Sequence, residues 1–189
     1  AALDALFAAC VADVRCSTRE PNLRERWQAL LASLPRSVAL RHPLTDRSER
    51  LTLTRDVLLG MVRGPLYAPP LAAALPAALG EATRGRFDAL AGLAQALGGR
   101  RGLRTAAGMH FAVVCAEDVP RAAQASDRPG TDFGGGLLDF YRAVCAQWPR
   151  GDVPAAFYTL SPAPAATLVL SGGLDPATPP RHGERVASA

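Results

Sequence analysis

The chain contains no lysine and no isoleucine, and its only asparagine is Asn22. Every basic residue is therefore arginine, while alanine, proline and glycine are abundant, the composition expected from a GC-rich genome. Apolar runs stay short of the roughly 20 residues that span a bilayer, so no membrane partner is expected. The N-terminus lacks a basic segment followed by an apolar core and a cleavage site, so no signal peptide is read there. It begins inside an apparent helix, as a fragment would. Histidine is scarce, with three residues, and C-x-x-C is missing, which excludes a zinc site on spacing and leaves no metal or cofactor expected. Basic stripes are missing too. The net charge is +4, but the arginines are scattered among Asp and Glu. Only Arg100, Arg101 and Arg104 cluster, between two helical stretches, and they read as a solvated loop. Nucleic acid is therefore not an expected partner. Gly134-Gly135-Gly136 is not a phosphate loop, because no lysine follows it and no strand precedes it.

What is present fits a folded soluble chain. The 189 residues are 49% hydrophobic and 20% charged, which suits one domain with a core, or a small domain with an insertion, and argues against disorder. Four cysteines, Cys10, Cys16, Cys115 and Cys145, are best read as two disulfides. Three pairings exist; Cys10 with Cys16 is the local choice, leaving Cys115 with Cys145. The alternative is four buried thiols in a reducing compartment. Disulfides point to a secreted or periplasmic protein.

Leu3, Leu6, Phe7, Cys10, Val11 and Val14 recur at helical spacing, and a turn through Cys16 and Ser17 is expected after them. Pro21 stands near the start of a second helix whose apolar face is Leu23, Trp27, Leu30, Leu31 and Leu34, with Pro35 as its stop. The period then shortens. Val38 and Leu40, then Leu51 and Leu53, alternate with polar neighbours around a loop holding His42, which predicts a β-hairpin over about 37–54. Helices follow from Asp56, over Leu71–Leu79, over Phe87–Leu97 and over about Thr105–Cys115. A loop, Ala116-Glu117-Asp118-Val119-Pro120, separates the last of these from a helix carrying Leu137, Leu138, Phe140, Tyr141, Val144 and Trp148. The expected organisation is a helical region over 1–150, a Pro-rich connection over 151–165, and a last part over 166–189.

That last part carries the chemistry. Thr167-Leu168-Val169-Leu170 is a short apolar run that suits a strand buried on both faces. Ser171-Gly172-Gly173-Leu174-Asp175-Pro176 is the loop after it, and Thr178-Pro179-Pro180 reads as an N-cap with prolines in the first turn of a final helix. Sites in open α/β sheets form at the carboxyl ends of strands. A carboxylate at Asp175 is placed to orient a histidine and stabilise its imidazolium. The competing reading is a turn bond from Asp175 to its own backbone.

With these segments in hand, the chain resembles the secreted α/β-hydrolase exopeptidases related to proline iminopeptidase and tripeptidyl aminopeptidase, including their TAP-like C-terminal region. Four segments carry the resemblance: Leu6–Cys16, Gly108–Pro120 with its Val-Val-Cys-Ala-Glu-Asp-Val-Pro, Cys145-Ala-Gln-Trp-Pro149, and Leu168–Pro180. The resemblance implies an α/β-hydrolase fragment: a mainly helical cap domain with one β-hairpin, then one core strand and its following helix. It implies that Asp175 is the triad acid and that Cys10–Cys16 and Cys115–Cys145 are disulfides. It implies a peptide or small ester or amide substrate, and a cap carboxylate, Glu117 or else Asp118, that holds the substrate's α-ammonium.

The family's nucleophile lies in G-x-S-x-G, and no such motif occurs in this sequence. His182 falls just after the acid loop and does not match the family's histidine by motif. His110 reads as a packed or bonded residue of the cap segment, and His42 as an exposed loop residue. The chain is thus expected to be catalytically incomplete by itself, and self-association through a face left open by a missing core is expected. The alternative class is a non-catalytic helical binding module or a degenerate hydrolase remnant.

Overall fold

The computed structural model describes residues 2–42, 44–98, 106–124, 132–133, 135–162 and 164–188. Arg100, Arg101 and Arg104 lie outside the described residues, as do Thr105 and Gly134. The chain divides into two compact units, Ala1–Gly102 with Val169–Ala187, and Leu103–Leu168 with Ser188–Ala189.

The first unit begins with α1 (Ala2–Ala12), an alanine-rich segment that buries Leu3, Phe7 and Cys10 on one face. The expected turn through Cys16 is instead a second helix, α2 (Val14–Arg19). The break comes earlier, at Asp13, whose side chain accepts a hydrogen bond from the Cys16 N–H at 2.7 Å and so starts a new helix. The Cys10–Cys16 disulfide closes across this break. Val11 and Val14, expected on the apolar face, are exposed.

α3 (Leu23–Ala32) buries Leu23, Trp27, Leu30 and Leu31, as its spacing predicted. Trp27 is fully buried. Arg24 stacks its guanidinium over the Phe7 ring at 5.0 Å and pairs with Asp4 at 3.1 Å, joining α3 to α1.

The hairpin forms as expected from β1 (Arg36–Arg41) and β2 (Ser48–Leu53), antiparallel, with Val38 opposite Leu51 and Arg36 opposite Leu53. Alternation puts Val38, Leu40 and Leu53 on the buried face. His42 has a local task. Its Nδ1 accepts the Leu44 and Thr45 N–H groups, each at 3.3 Å, and shapes the loop between the strands.

α4 (Arg55–Arg63) starts at Thr54, whose hydroxyl accepts from the Val57 N–H, and buries Leu58, Leu59 and Val62. A 3-10 turn over Pro65–Tyr67 leads to α5 (Pro69–Thr83). α6 (Asp88–Gly98) completes this core, receiving the Arg41 N–H of β1 on the Asp88 carboxylate at 2.5 Å. α5 packs against α1, α3 and α6 and buries Leu75, Ala78, Leu79 and Ala82. Each fully buried leucine side chain contributes about 1.5–3 kcal/mol relative to exposure.

One ionic contact sits inside this packing. Glu20, just after α2, is 6% exposed. Its carboxylate accepts from Arg26 of α3 at 2.5 Å and from Arg84 at the end of α5 at 2.8 Å. It lies directly on Gly80: a Cβ there would come within 2.0 Å of Glu20 Oε2. Burial pushes the Glu20 carboxyl up, and the hydrogen bonds from Arg84 and Arg26 outweigh it, so the group titrates below its ordinary value.

The second unit has α7 (Ala107–Val113), a π turn over Val114–Asp118, a 3-10 turn over Val119–Gln124, and α8 (Gly136–Cys145). The loop expected over Ala116–Pro120 is therefore helical. Pro120 clashes with a regular α-helix, because its ring meets the carbonyl four residues back. The Val119 N–H instead bonds to the Val114 carbonyl, five residues back, and the wider turn carries the chain past the proline. Cys115 and Cys145 are buried and joined as a disulfide. Around them Phe111 packs on Trp148 at 5.2 Å, and His110 Nε2 hydrogen-bonds the Tyr141 hydroxyl at 2.9 Å. His110 is thus the bonded residue its position suggested. The Pro-rich stretch includes a 3-10 turn over Ala155–Tyr158, which the Tyr158 hydroxyl fastens to the Glu117 carbonyl at 2.9 Å.

The expected strand over Thr167–Leu170 is not one. The hairpin is the only sheet among the described residues, and Leu168 and Leu170 are 81% and 82% exposed. A strand needs a neighbour for its N–H and C=O groups, and no described segment supplies one. No described helix is long and apolar enough to cross a membrane.

Gly80→Ala should destabilise the chain by about 1–3 kcal/mol, because the added methyl displaces the Glu20 carboxylate. In a Glu20→Ala background the same change should become neutral or stabilising by up to about 1 kcal/mol, the helix-propensity gain of alanine over glycine. Urea unfolding of the four proteins checks the reversal of sign; additive effects would refute the contact. The ionised Glu20 contributes fully above the unfolded carboxyl value of about 4.3 and less as pH falls through its lower folded value. The stability gap between wild type and Glu20→Gln should therefore narrow below about pH 4.

Candidate functional site

The loop carrying Asp175 is built locally. Gly172 accepts the Asp175 N–H on its carbonyl at 3.2 Å, closing a tight turn, and a Cβ on Gly172 would press on the Asp175 Cβ at 3.3 Å. Pro176 follows and restricts the backbone of Asp175 to extended conformations. The carboxylate folds forward over the next residues. Asp175 Oδ1 accepts the Ala177 N–H at 2.8 Å and the Thr178 N–H at 3.0 Å, and Oδ2 accepts the Thr178 hydroxyl at 2.9 Å. Thr178, expected as an N-cap, thus spends its hydroxyl on Asp175. α9 (Pro180–Ala187) begins just beyond.

α9 lies close over the segment before the loop at one point. A Cβ on Gly183 would come within 2.3 Å of Ser171 Oγ and 3.2 Å of Val169 Cγ1. Only a glycine lets the helix sit this near. Val169 and Ser171 therefore lie against α9, while Leu168 and Leu170 are exposed. The result is a loop holding an acid, with the segment before it and the helix after it in contact at Gly183.

The three donors decide the protonation state. The Thr178 N–H, then the Ala177 N–H and the Thr178 hydroxyl, stabilise the charged form and hold the Asp175 carboxyl below its ordinary value. Asp175 is ionised at neutral pH, and its partners all belong to its own loop. An ionised carboxylate with lone pairs to spare can accept an imidazole N–H and stabilise an imidazolium. The same bonds realise the competing turn reading, and the two roles are compatible.

Glu117 and Asp118 stand at the end of the π turn in the second unit. Glu117 is half-buried and its backbone carbonyl holds Tyr158; Asp118 is exposed. The four cysteines are joined as Cys10–Cys16 and Cys115–Cys145. Among the described residues no group of His, Cys, Asp or Glu could hold a metal ion. Thr178 as a partner of Asp175 escaped the sequence reading, although a threonine three residues after an aspartate is the spacing of such a bond. An open depression of about 560 Å³ beside the π turn, with Arg121, Arg150 and Tyr158 among its lining residues, escaped it as well. Those residues are far apart in sequence, and no local pattern marks them.

Residues 135–189 match the family model described as TAP-like protein, an α/β-hydrolase family. The match contains the Asp175 loop and α9 and supports an α/β-hydrolase relationship for that stretch. No curated protein and no solved structure matches the chain.

The Asp175 side-chain carboxyl should titrate below the ordinary aspartate value of about 3.8 when followed by carbon-13 NMR. Thr178→Ala removes the hydroxyl donor and should move the midpoint up toward that value. A midpoint in wild type already at the ordinary value, or one unmoved by Thr178→Ala, would show that the loop does not hold the carboxylate.

Proposed function

We propose that this chain supplies the triad acid and the cap domain of a serine α/β-hydrolase, an exopeptidase acting on peptides with a free N-terminus. The observation that carries the reading is the Asp175 loop: an ionised carboxylate held by three donors between Thr167–Leu170 and a helix, inside the stretch that matches the TAP-like family. Such an acid fixes the tautomer of a general-base histidine and stabilises the imidazolium formed when a serine attacks the carbonyl. The sequence has no G-x-S-x-G, so in this reading the nucleophile and the base come from segments beyond these residues. Glu117 pairs with the substrate's α-ammonium. Its half-buried position makes the pair stronger than one at the exposed Asp118. The reading needs no cofactor. The two disulfides support an oxidising compartment, as for a secreted or periplasmic enzyme.

Release of nitroaniline from aminoacyl and tripeptidyl nitroanilides tests this division of labour. The 189 residues alone should give no turnover above buffer. Joined in one polypeptide to core segments bearing the serine and the histidine, they should turn over, and Asp175→Asn should lower kcat by about four orders of magnitude. Turnover by the chain alone that Asp175→Asn abolishes would place a nucleophile and base within it. An assembled enzyme indifferent to Asp175→Asn would remove the acid role, and a chain that never assembles into an active enzyme would favour the non-catalytic module.

In the same reading, Thr167–Leu170 is a sheet strand without its neighbours. Its unpaired backbone and the exposed Leu168 and Leu170 should drive self-association of the isolated chain. Light scattering across concentrations should show oligomers that the double change Leu168→Glu and Leu170→Glu returns to monomer. A wild-type chain that stays monomeric at high concentration would count against it.

A further inference from the structure

An open depression of about 560 Å³ lies in the second unit. The half-buried Ala116, Val153 and Tyr158 line it, together with the exposed Arg121, Arg150 and Asp152. Arg121 lays its guanidinium over the Tyr158 ring, with the central carbon 3.8 Å from the ring centroid. That ring is itself pinned, because its hydroxyl donates to the Glu117 carbonyl. Stacking holds the guanidinium in place and leaves its edge of N–H donors unspent. Neither Arg121 nor Arg150 makes an ion pair or a side-chain hydrogen bond with a described residue, which leaves both guanidinium groups available to an anion.

We propose that this depression binds an organic carboxylate: the anionic group against Arg121 and Arg150, and an apolar or aromatic group against Tyr158 and Val153. Guanidinium forks match carboxylate and phosphate alike. The apolar surface of Tyr158 and Val153 favours an organic anion over inorganic phosphate, which has no apolar part to cover it. The inference does not rest on the hydrolase reading.

N-acetyl-phenylalanine, its uncharged amide and inorganic phosphate, each titrated into the isotope-labelled 189-residue chain, test the site by the amide NMR shifts of Gly151, Asp152, Val153 and Tyr158. The carboxylate should give saturable shifts in the roughly millimolar range. The amide should give none, and phosphate should bind at least about fivefold more weakly, for want of the apolar contact. Arg121→Gln and Arg150→Gln should each weaken the carboxylate by about fivefold or more, and Asp152→Asn should tighten it. Both arginines are exposed, so the circular dichroism spectrum should not change. The proposal fails if no shift saturates, if the amide binds as well as the acid, if phosphate binds as tightly as the carboxylate, or if the double arginine variant binds unchanged.

Discussion

The carboxylate of Glu20, the residue that closes α2, ties α3 and the end of α5 together through Arg26 and Arg84. A buried charge is tolerated only when paired and hydrogen-bonded. Arg26 and Arg84 meet that condition from two different helix segments, one of them 64 residues away in sequence. The geometry then imposes a demand on a third position. Gly80 must lack a side chain, because the carboxylate occupies the space where a Cβ would project. Arg84 is shared with Glu81, which also holds Arg86, so the end of α5 is tied both inward and along its own surface. The knot is not fully satisfied: Arg26 Nε is buried without a partner among the described residues. The apolar contacts of Trp27, Leu75, Leu79 and Leu90 supply most of the stabilisation, and a buried ion pair adds little net to it.

The second unit solves the same problem with less core. Its buried apolar residues among those described are Cys115 and Cys145, and most of its aromatic rings are partly exposed. The bond between those cysteines closes 30 residues, which by chain entropy stabilises by about 3.6 kcal/mol, against about 2.2 for the short Cys10–Cys16 loop. This unit therefore leans on its covalent link, and the π turn that carries the chain past Pro120 is also what sets Glu117 against Tyr158.

The hydrogen bonds that hold Asp175 are local to its loop. Its turn, its three donors and the glycine contact at Gly183 all arise within residues 169–183. This locality explains how the acid can be well held while the segment before it has no sheet to join. A loop closes on hydrogen bonds from its own backbone, whereas a strand borrows its partners from elsewhere.

Local chemistry was readable from residue order alone. The spacing of Leu23, Trp27, Leu30 and Leu31 marked α3, the change of period at Val38 marked the hairpin, and Gly172, Asp175 and Pro176 marked a tight acidic turn. The start of α2 at Asp13 was legible in principle, since an aspartate before a helix is a strong N-cap, but the Cys16-Ser17 pair suggested a turn instead. Pro120 suggested a loop because proline breaks α-helices, and residue order does not show that a π turn can absorb it. Tertiary structure alone decided the rest: the pairing of Glu20 with Arg84, the demand it makes on Gly80, the stacking of Arg121 on Tyr158, and the exposed state of Leu168 and Leu170. The physical reason is one of distance along the chain. Helix periods, caps and turns are settled by neighbours within a few residues, whereas ion pairs, stacked rings and strand pairing require groups that only folding brings together.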